Sequence, residues 1–227
     1  MKEQDKIFFN SEGDGWYQRN KDNLGIREKS DWVLYTFDQL NLNKRKKYHI
    51  VELGCSNGYR LNTINNLYQG NNWLFSGLDA SKQAIINGQK KYSRIQFYRG
   101  LLSEIPITKK ADIVIINFVL HWIDRRNLTK CISEIDRILL DEGYIILGDF
   151  LPDYNYKRKY HHLPNEIVYT YKQNYANIFT SLGFYKTIYY ACYDHDESDG
   201  IMNISNSDNR GMIVLLKKSY NNFYKTE

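Results

Sequence analysis

The sequence predicts an α/β fold, a doubly wound seven-stranded sheet that is mostly parallel and ends in a C-terminal antiparallel hairpin. Three observations carry that expectation. Strand-like and helix-like hydrophobic periods alternate through most of the chain. Ile113–Asn117 is apolar from Ile113 through Ile116, as a strand covered on both faces must be. The stretch HIVELGCSNGYRL, residues 49–61, runs from a strand-like segment into a glycine-bearing turn and on into a helical pattern.

Each element follows in order. Over Ser30–Leu40, Val33, Phe37 and Leu40 share a face and Ser30 can cap the first turn, so a helix precedes the sheet. His49–Leu53 is the first strand. The helix after it, Tyr59–Tyr68, gathers Leu61, Ile64 and Tyr68 on one side. Trp73–Leu78 is the second strand, and Ser81 caps the next helix. Ile95–Tyr98 and Ile113–Asn117 are the third and fourth strands, the latter central. Leu128–Leu140 repeats Leu128, Ile132, Ile135 and Leu139 at helical spacing ahead of Gly143, and Tyr144–Leu147 is the fifth strand. The rhythm then breaks over LPDYNYKRKYHHLPNEIVYT, residues 151–170, whose prolines, cations and aromatics mark an insertion. Tyr175, Ile178, Phe179 and Leu182 form a core-facing helix stopped by Gly183. Tyr185–Tyr193 and Met212–Lys217 pair as the antiparallel edge across the polar loop His195–Arg210.

A chain of 227 residues suits one domain spanning residues 1–227. The most apolar stretch, Ile113–Leu120, is far shorter than the roughly 18 residues a membrane helix needs. The opening MKEQDKIFF has no sustained apolar segment or cleavage site, which predicts a cytoplasmic protein. Cys55, Cys131 and Cys192 are far apart and form neither a CxxC pair nor a disulfide framework. No triad at recognisable ligand spacing points to a metal. The net charge of +5 is modest, and its densest patch, residues 44–47, sits in a connection without a base-stacking aromatic motif. A small-molecule substrate, no nucleic acid, no membrane, and a monomer or homodimer are the expectations.

Doubly wound sheets collect ligands outside the carboxyl ends of their strands, where the strand order reverses. Those ends carry Gly54 and Gly58, then Asp79, then Gly100-Leu101-Leu102, then Asn117, then Asp149. A dinucleotide fingerprint would need glycine at 56 and 59, where Ser56 and Tyr59 stand, and the turn lacks a P-loop ending.

The pattern Glu52-x-Gly54-x-x-x-Gly58, answered by Asp79, resembles the class I S-adenosylmethionine (SAM) dependent methyltransferases, a Rossmann-like family. The resemblance runs from about Asn23 to Lys217 through VELGCSNG, GLDAS, ADIVIINFVLHWID and RILLDEGYIILGDF, in the family's order. It implies SAM as cofactor, with S-adenosylhomocysteine (SAH) as product. Gly54 and Gly58 would let the backbone approach the methionine part, beside Glu52 and Ser56. Asp79, followed by Ala80, would accept both ribose hydroxyls. Leu101 and Leu102 would flank adenine, and Asn117 would lie where the fourth strand meets the transferred methyl. Ser56 replaces the commoner glycine at the middle of the motif, which leaves the loop conformation open.

NFVLHWI resembles the small-molecule enzymes more than the NPPY-type enzymes that methylate nucleic-acid amino groups. FFNSEGDGWYQRN resembles an aromatic-rich helix that closes over SAM, with Arg19 meeting the cofactor's carboxylate. The N-terminal lid would span about residues 1–40 and the substrate-recognition insertion about residues 151–170, with Trp16, Tyr17, Arg158, Tyr160 and Tyr171 as substrate contacts. The base candidates are His121, His161 and His162, because histidine's ordinary pKa of about 6.5 suits proton removal near neutrality. His121 is equally a packing histidine, and the adjacent pair is either a surface pair or a set of acid/base and substrate contacts. The implied activity is methyl transfer to an oxygen or nitrogen of a small polar, acidic metabolite, a sugar, nucleotide-sugar or amino-acid derivative. KYHH and TYKQNYANIF resemble a subgroup linked to bacterial surface-polysaccharide biosynthesis. An RNA or protein methyltransferase, or a non-catalytic SAM-binding partner subunit, is the alternative.

Overall fold

The structure is a computed structural model that describes residues 3–26, 31–43, 45–69, 72–195 and 207–224. Its main sheet has seven strands: β1 His49–Leu53, β2 Leu74–Asp79, β3 Ile95–Arg99, β4 Ala111–Asn117, β5 Leu139–Phe150, and two strands that close the edge. A separate ribbon, β6 Tyr156–Lys159 and β7 Tyr169–Lys172, intervenes before those last two, β8 Tyr185–Asp194 and β9 Arg210–Lys218. The order across the sheet is β3-β2-β1-β4-β5-β9-β8, parallel as far as β5 and antiparallel beyond it. Strand order therefore reverses between β1 and β4, which opens a crevice at their carboxyl ends.

Alternation within the strands divides the core into two layers. Ile50, Ile113, Ile115 and Ile146 face α3 (Trp32–Asp38), α4 (Tyr59–Leu67) and α5 (Lys82–Lys91), meeting Phe37, Leu61, Ile64 and Ile85. Val51, Val114, Ile116 and Leu147 face the other way, onto Ile132 and Ile135 of α6 (Leu128–Ile138) and Phe179 of α7 (Ala176–Thr180). Covering both faces explains why β1 is buried at every position and why β4 runs apolar from Ile113 to Ile116 rather than alternating.

Several boundaries differ from the sequence expectation, for local reasons. Ser30 lies outside the described residues. Asp31 caps α3 instead, its Oδ1 accepting the backbone N–H groups of Val33 and Leu34. Helix α6 ends at Ile138, and Leu139 already pairs with Ala111 as the start of β5. The register then slips before Tyr144 pairs with Ile113, across Glu142, which adopts a left-handed backbone. The segment expected to be irregular contains the β6–β7 ribbon, in which Arg158 pairs with Thr170.

The N-terminal segment forms one helical rod made of α1 (Glu3–Ile7), a π-helical turn Phe8–Glu12, and α2 (Gly13–Asn20). Side chains fasten it across the carboxyl end of the sheet. The Gln4 amide donates to the carbonyls of Trp122 and Tyr169 and accepts the Tyr169 N–H. Asp5 accepts from the backbone N–H of Asp124 and the Asn127 amide, while Asp14 accepts from Ser81 Oγ and the Gln83 N–H. Among the described residues no helix is long and apolar enough to cross a membrane.

Candidate active site

The carboxyl ends of β1, β2, β4 and β5, roofed by the N-terminal rod and walled by the β6–β7 ribbon, enclose a cavity of about 640 Å³. At one end lies the β1–α4 turn. Gly54 has φ +76°, and a Cβ there would collide with Val119, so the position excludes a side chain on both counts. Ser56 takes φ +50°, a left-handed conformation that favours glycine. The loop keeps its path with serine in place, and Ser56 Oγ is buried without a hydrogen-bond partner. Gly58, at φ +79°, caps α4 and packs against Phe97, one step behind the cavity wall.

Asp79 ties this turn to the end of β2. Its Oδ2 accepts the Ser56 N–H at 2.7 Å and its Oδ1 the Ser81 N–H at 2.8 Å. Burial raises its pKa, and those backbone donors oppose the rise. Asp79, Ala80, Leu101 and Leu102 line the same end of the cavity.

Farther along the wall, Asn117 and Phe118 follow β4. Phe118 also has a left-handed backbone, φ +54°, a costly conformation for an aromatic residue, and its ring packs on Phe150 and His195 with centroids 5.0 and 4.4 Å away. His121 follows on the same turn, and its Nδ1 lies 2.9 Å from Asp149 Oδ1. His121 is 3% exposed and Asp149 0%. The ribbon adds Arg158, Tyr160, His161, His162, Thr170 and Lys172 to the wall. Burial, with Arg19 and His161 nearby, holds His162 below the ordinary histidine pKa.

The structure thus brings Trp16, Gly54, Ser56, Asp79, Ala80, Leu101, Leu102, Asn117, His121, Arg158, Tyr160, His161 and His162 to one cavity. It does not bring Arg19, Tyr17, Tyr171, Glu52 or Gly58 to the wall. Arg19 turns instead to Glu12 and to the Tyr160 hydroxyl, 2.9 Å away. Tyr17 is buried beside Asn57, and Tyr171 stacks under the Arg125 guanidinium at 4.4 Å. Glu52 lies beneath the loop in an ion pair with Arg60.

Arg60, Lys172 and His195 line the cavity without having been singled out in the sequence, and Asp149 acquires a role there only through His121. Arg60 was within reach of sequence reasoning, since it falls on the first turn of the helix that the glycine loop begins. Lys172 and His195 arrive through β7 and β8, whose placement depends on long-range pairing. Among the described residues no group of three or more His, Cys, Asp or Glu side chains is placed to hold a metal ion.

The fold has counterparts among known proteins. Residues 50–143 match the family described as "Methyltransferase domain". The malonyl-[acyl-carrier protein] O-methyltransferase of Halalkalibacterium halodurans is 26% identical over 115 residues, covering 48% of this chain and 41% of the relative. The chain thus aligns with about two fifths of that relative's length. A chain of the complex between the Haloferax volcanii Trm112 methyltransferase activator and the putative methyltransferase superposes with a TM-score of 0.67 at 14% identity, covering 95% of this chain and all of the other. The glycopeptide N-methyltransferase MtfA, solved with SAM, superposes with a TM-score of 0.56 at 13% identity, covering 82% of this chain and 94% of that one.

Proposed function

We propose that this chain, whose core is a class I SAM-dependent methyltransferase domain, transfers a methyl group to a hydroxyl or amino group of a small polar acid. The observation that carries the reading is that one continuous cavity joins the Asp79–glycine-loop end to the His121–Asp149 pair and then to the cationic ribbon. The residues at the first end fit the cofactor. Each Asp79 oxygen accepts one backbone N–H and keeps acceptor capacity for a ribose hydroxyl. Ser56 Oγ is a buried polar atom in want of a partner, and Leu101 and Leu102 offer apolar walls to a purine. When bound, SAM supplies a methyl group already activated by its sulfonium.

The protein's task is then positioning, exclusion of water and removal of one proton. Asp149, an acceptor when ionised, fixes the proton of His121 on Nδ1 and leaves Nε2 as the acceptor for the nucleophile's proton. The N-terminal rod roofs the cavity and acts as the lid, while residues 151–170 recognise substrate. Lys172 and Arg158 make the ribbon wall cationic, which favours a carboxylate or phosphate on the substrate. A nucleotide-sugar, sugar phosphate or amino-acid derivative of the kind used in surface-polysaccharide assembly has that chemistry.

Isothermal titration with SAM and SAH, followed by a thermal-shift screen of anionic metabolites in the presence of SAH, tests the proposal. Micromolar cofactor binding, and further stabilisation by an anionic metabolite that is then methylated, are expected. Absence of SAM and SAH binding would remove the cofactor assignment, and stabilisation by uncharged metabolites alone would remove the acidic substrate.

A further inference from the structure

Arg60 is a buried cation on a cavity wall. Its side chain is 9% exposed, it borders the space beside Gly54 and Ser56, and it sits between two carboxylates. Nε donates to Asp31 Oδ2 at 3.0 Å, one Nη to Glu52 Oε1, and the other Nη to the Tyr59 hydroxyl at 3.0 Å. Three of the five guanidinium N–H groups are engaged in this way, and both terminal nitrogens keep a second one. Burial disfavours the charge, but Asp31 and Glu52 outweigh it and hold Arg60 firmly protonated. Breaking such a buried pair is costly, so the guanidinium is fixed in place before any ligand arrives.

We infer that Arg60, rather than Arg19, receives the carboxylate of the cofactor's methionine. This rests on the SAM reading above. The cofactor's amino-acid end is the part that must lie along the Gly54–Ser56 turn once its ribose is held at Asp79, and Arg60 is the cation on that stretch of wall. A preformed planar fork recognises a carboxylate with little further loss of side-chain freedom. Arg19 does not line the cavity; one of its Nη atoms meets Glu12 and the Tyr160 hydroxyl, which joins the N-terminal rod to the ribbon. The arrangement also links cofactor binding to α3, because Asp31 holds Arg60 with one oxygen and caps that helix with the other. Cofactor binding on Arg60 would therefore reinforce the start of α3.

Titration calorimetry with SAH and its decarboxylated analogue separates the carboxylate from the rest of the ligand. The intact protein should bind SAH at least about tenfold more tightly than the analogue. That preference should shrink in Arg60→Lys and vanish in Arg60→Met, and it should survive in Arg19→Ala. If the Arg60 variants do not fold, a crystal structure of the intact protein with SAH decides the point, with the carboxylate expected within hydrogen-bond distance of an Arg60 Nη. A preference that persists without Arg60, one that disappears with Arg19, equal binding of the two ligands by the intact protein, or a carboxylate more than about 4 Å from Arg60 overturns the inference. Failure of the intact protein to bind SAH at all overturns the cofactor reading instead.

Discussion

His121 donates its Nδ1–H to Asp149 across 2.9 Å, with both side chains buried and the imidazole on the cavity wall. Asp149 also accepts the backbone N–H groups of His121 and Phe150, so its carboxylate is held by the same turn it orients. This constrains the imidazole before substrate arrives, as a base acting on a weakly acidic proton requires. With a substrate in hand, His121→Ala should lower kcat by about 10²- to 10⁴-fold and leave SAH affinity nearly unchanged. Asp149→Asn should lower kcat with little change in KM, because the amide group places a donor against His121 or its backbone N–H. Steady-state kinetics measure both, and an unaltered kcat in His121→Ala would exclude it as the base.

Asp79 has a task besides the proposed ribose contact. It also holds the Ser56 and Ser81 N–H groups, so its removal leaves two donors unpaired at the loop. Asp79→Ala should therefore weaken SAM by more than tenfold and lower the unfolding free energy, at about 1 to 3 kcal/mol for each buried donor left unsatisfied. Asp149→Asn should alter SAM affinity far less. Calorimetry and urea unfolding of the two variants decide it, and equal losses of affinity would displace Asp79 from the ribose.

The proposed lid has a definable clasp. Buried Glu12 accepts from the Tyr160 hydroxyl at 2.8 Å and pairs with Arg19, which also reaches that hydroxyl. Tyr160→Phe removes the hydroxyl from both contacts. Amide exchange over residues 7–22 should slow when SAH binds the intact protein, and should be faster in the ligand-free variant. Unchanged exchange of Trp16–Asn20 upon SAH binding would show that this segment is not a ligand-ordered lid.

The fold and the glycine turn were legible because they are written locally. Ile113–Asn117 announces a central strand by the unbroken apolar run Ile113–Ile116, and the Gly54 turn follows directly from β1. Ser56 left the loop open on paper, since a sequence does not show that serine will accept φ +50° when Asp79 holds its N–H. The distant partnerships were not legible. His121–Asp149 and Tyr160–Glu12 span 28 and 148 positions, and no periodicity encodes such pairs. The resemblance that pointed Arg19 at the cofactor did not show that Glu12 and Tyr160 would meet its guanidinium.

Glu52 gives the fold a pH dependence. Burial pushes its pKa from 4.5 up to about 7, against the opposing pull of Arg60. The folded state therefore binds this proton more tightly than the unfolded chain does. The stabilisation is complete below about pH 4.5 and is lost as pH rises through about 7. At about 1.4 kcal/mol per pKa unit the effect is at most about 3 kcal/mol. Glu52→Gln cannot ionise, so its stability relative to the intact protein should rise between pH 5 and pH 8. Urea unfolding at several pH values measures this, and a difference that stays flat with pH would contradict the origin assigned to it.

The ribbon's cations are unequal, and that predicts which one reads a substrate anion. Arg158 is exposed and meets Asp208 at 2.6 Å, an arrangement that already satisfies much of its charge and is screened by solvent. Lys172 is buried, lines the cavity, and holds its ammonium 3.8 Å from the Phe150 ring centroid while donating to the Asp208 carbonyl. Phe150 also packs against His121, with centroids 5.1 Å apart, so a substrate anion at Lys172 would lie close to the proposed base. For an anionic substrate, Lys172→Met should raise KM by about tenfold or more, the scale of a charge-assisted hydrogen bond lost from a buried site, whereas Arg158→Ala should change KM about twofold. Steady-state kinetics of the two variants separate them. A larger KM effect at Arg158 would place the anion at the outer edge of the ribbon, and unaltered KM in both would remove the ribbon from anion recognition.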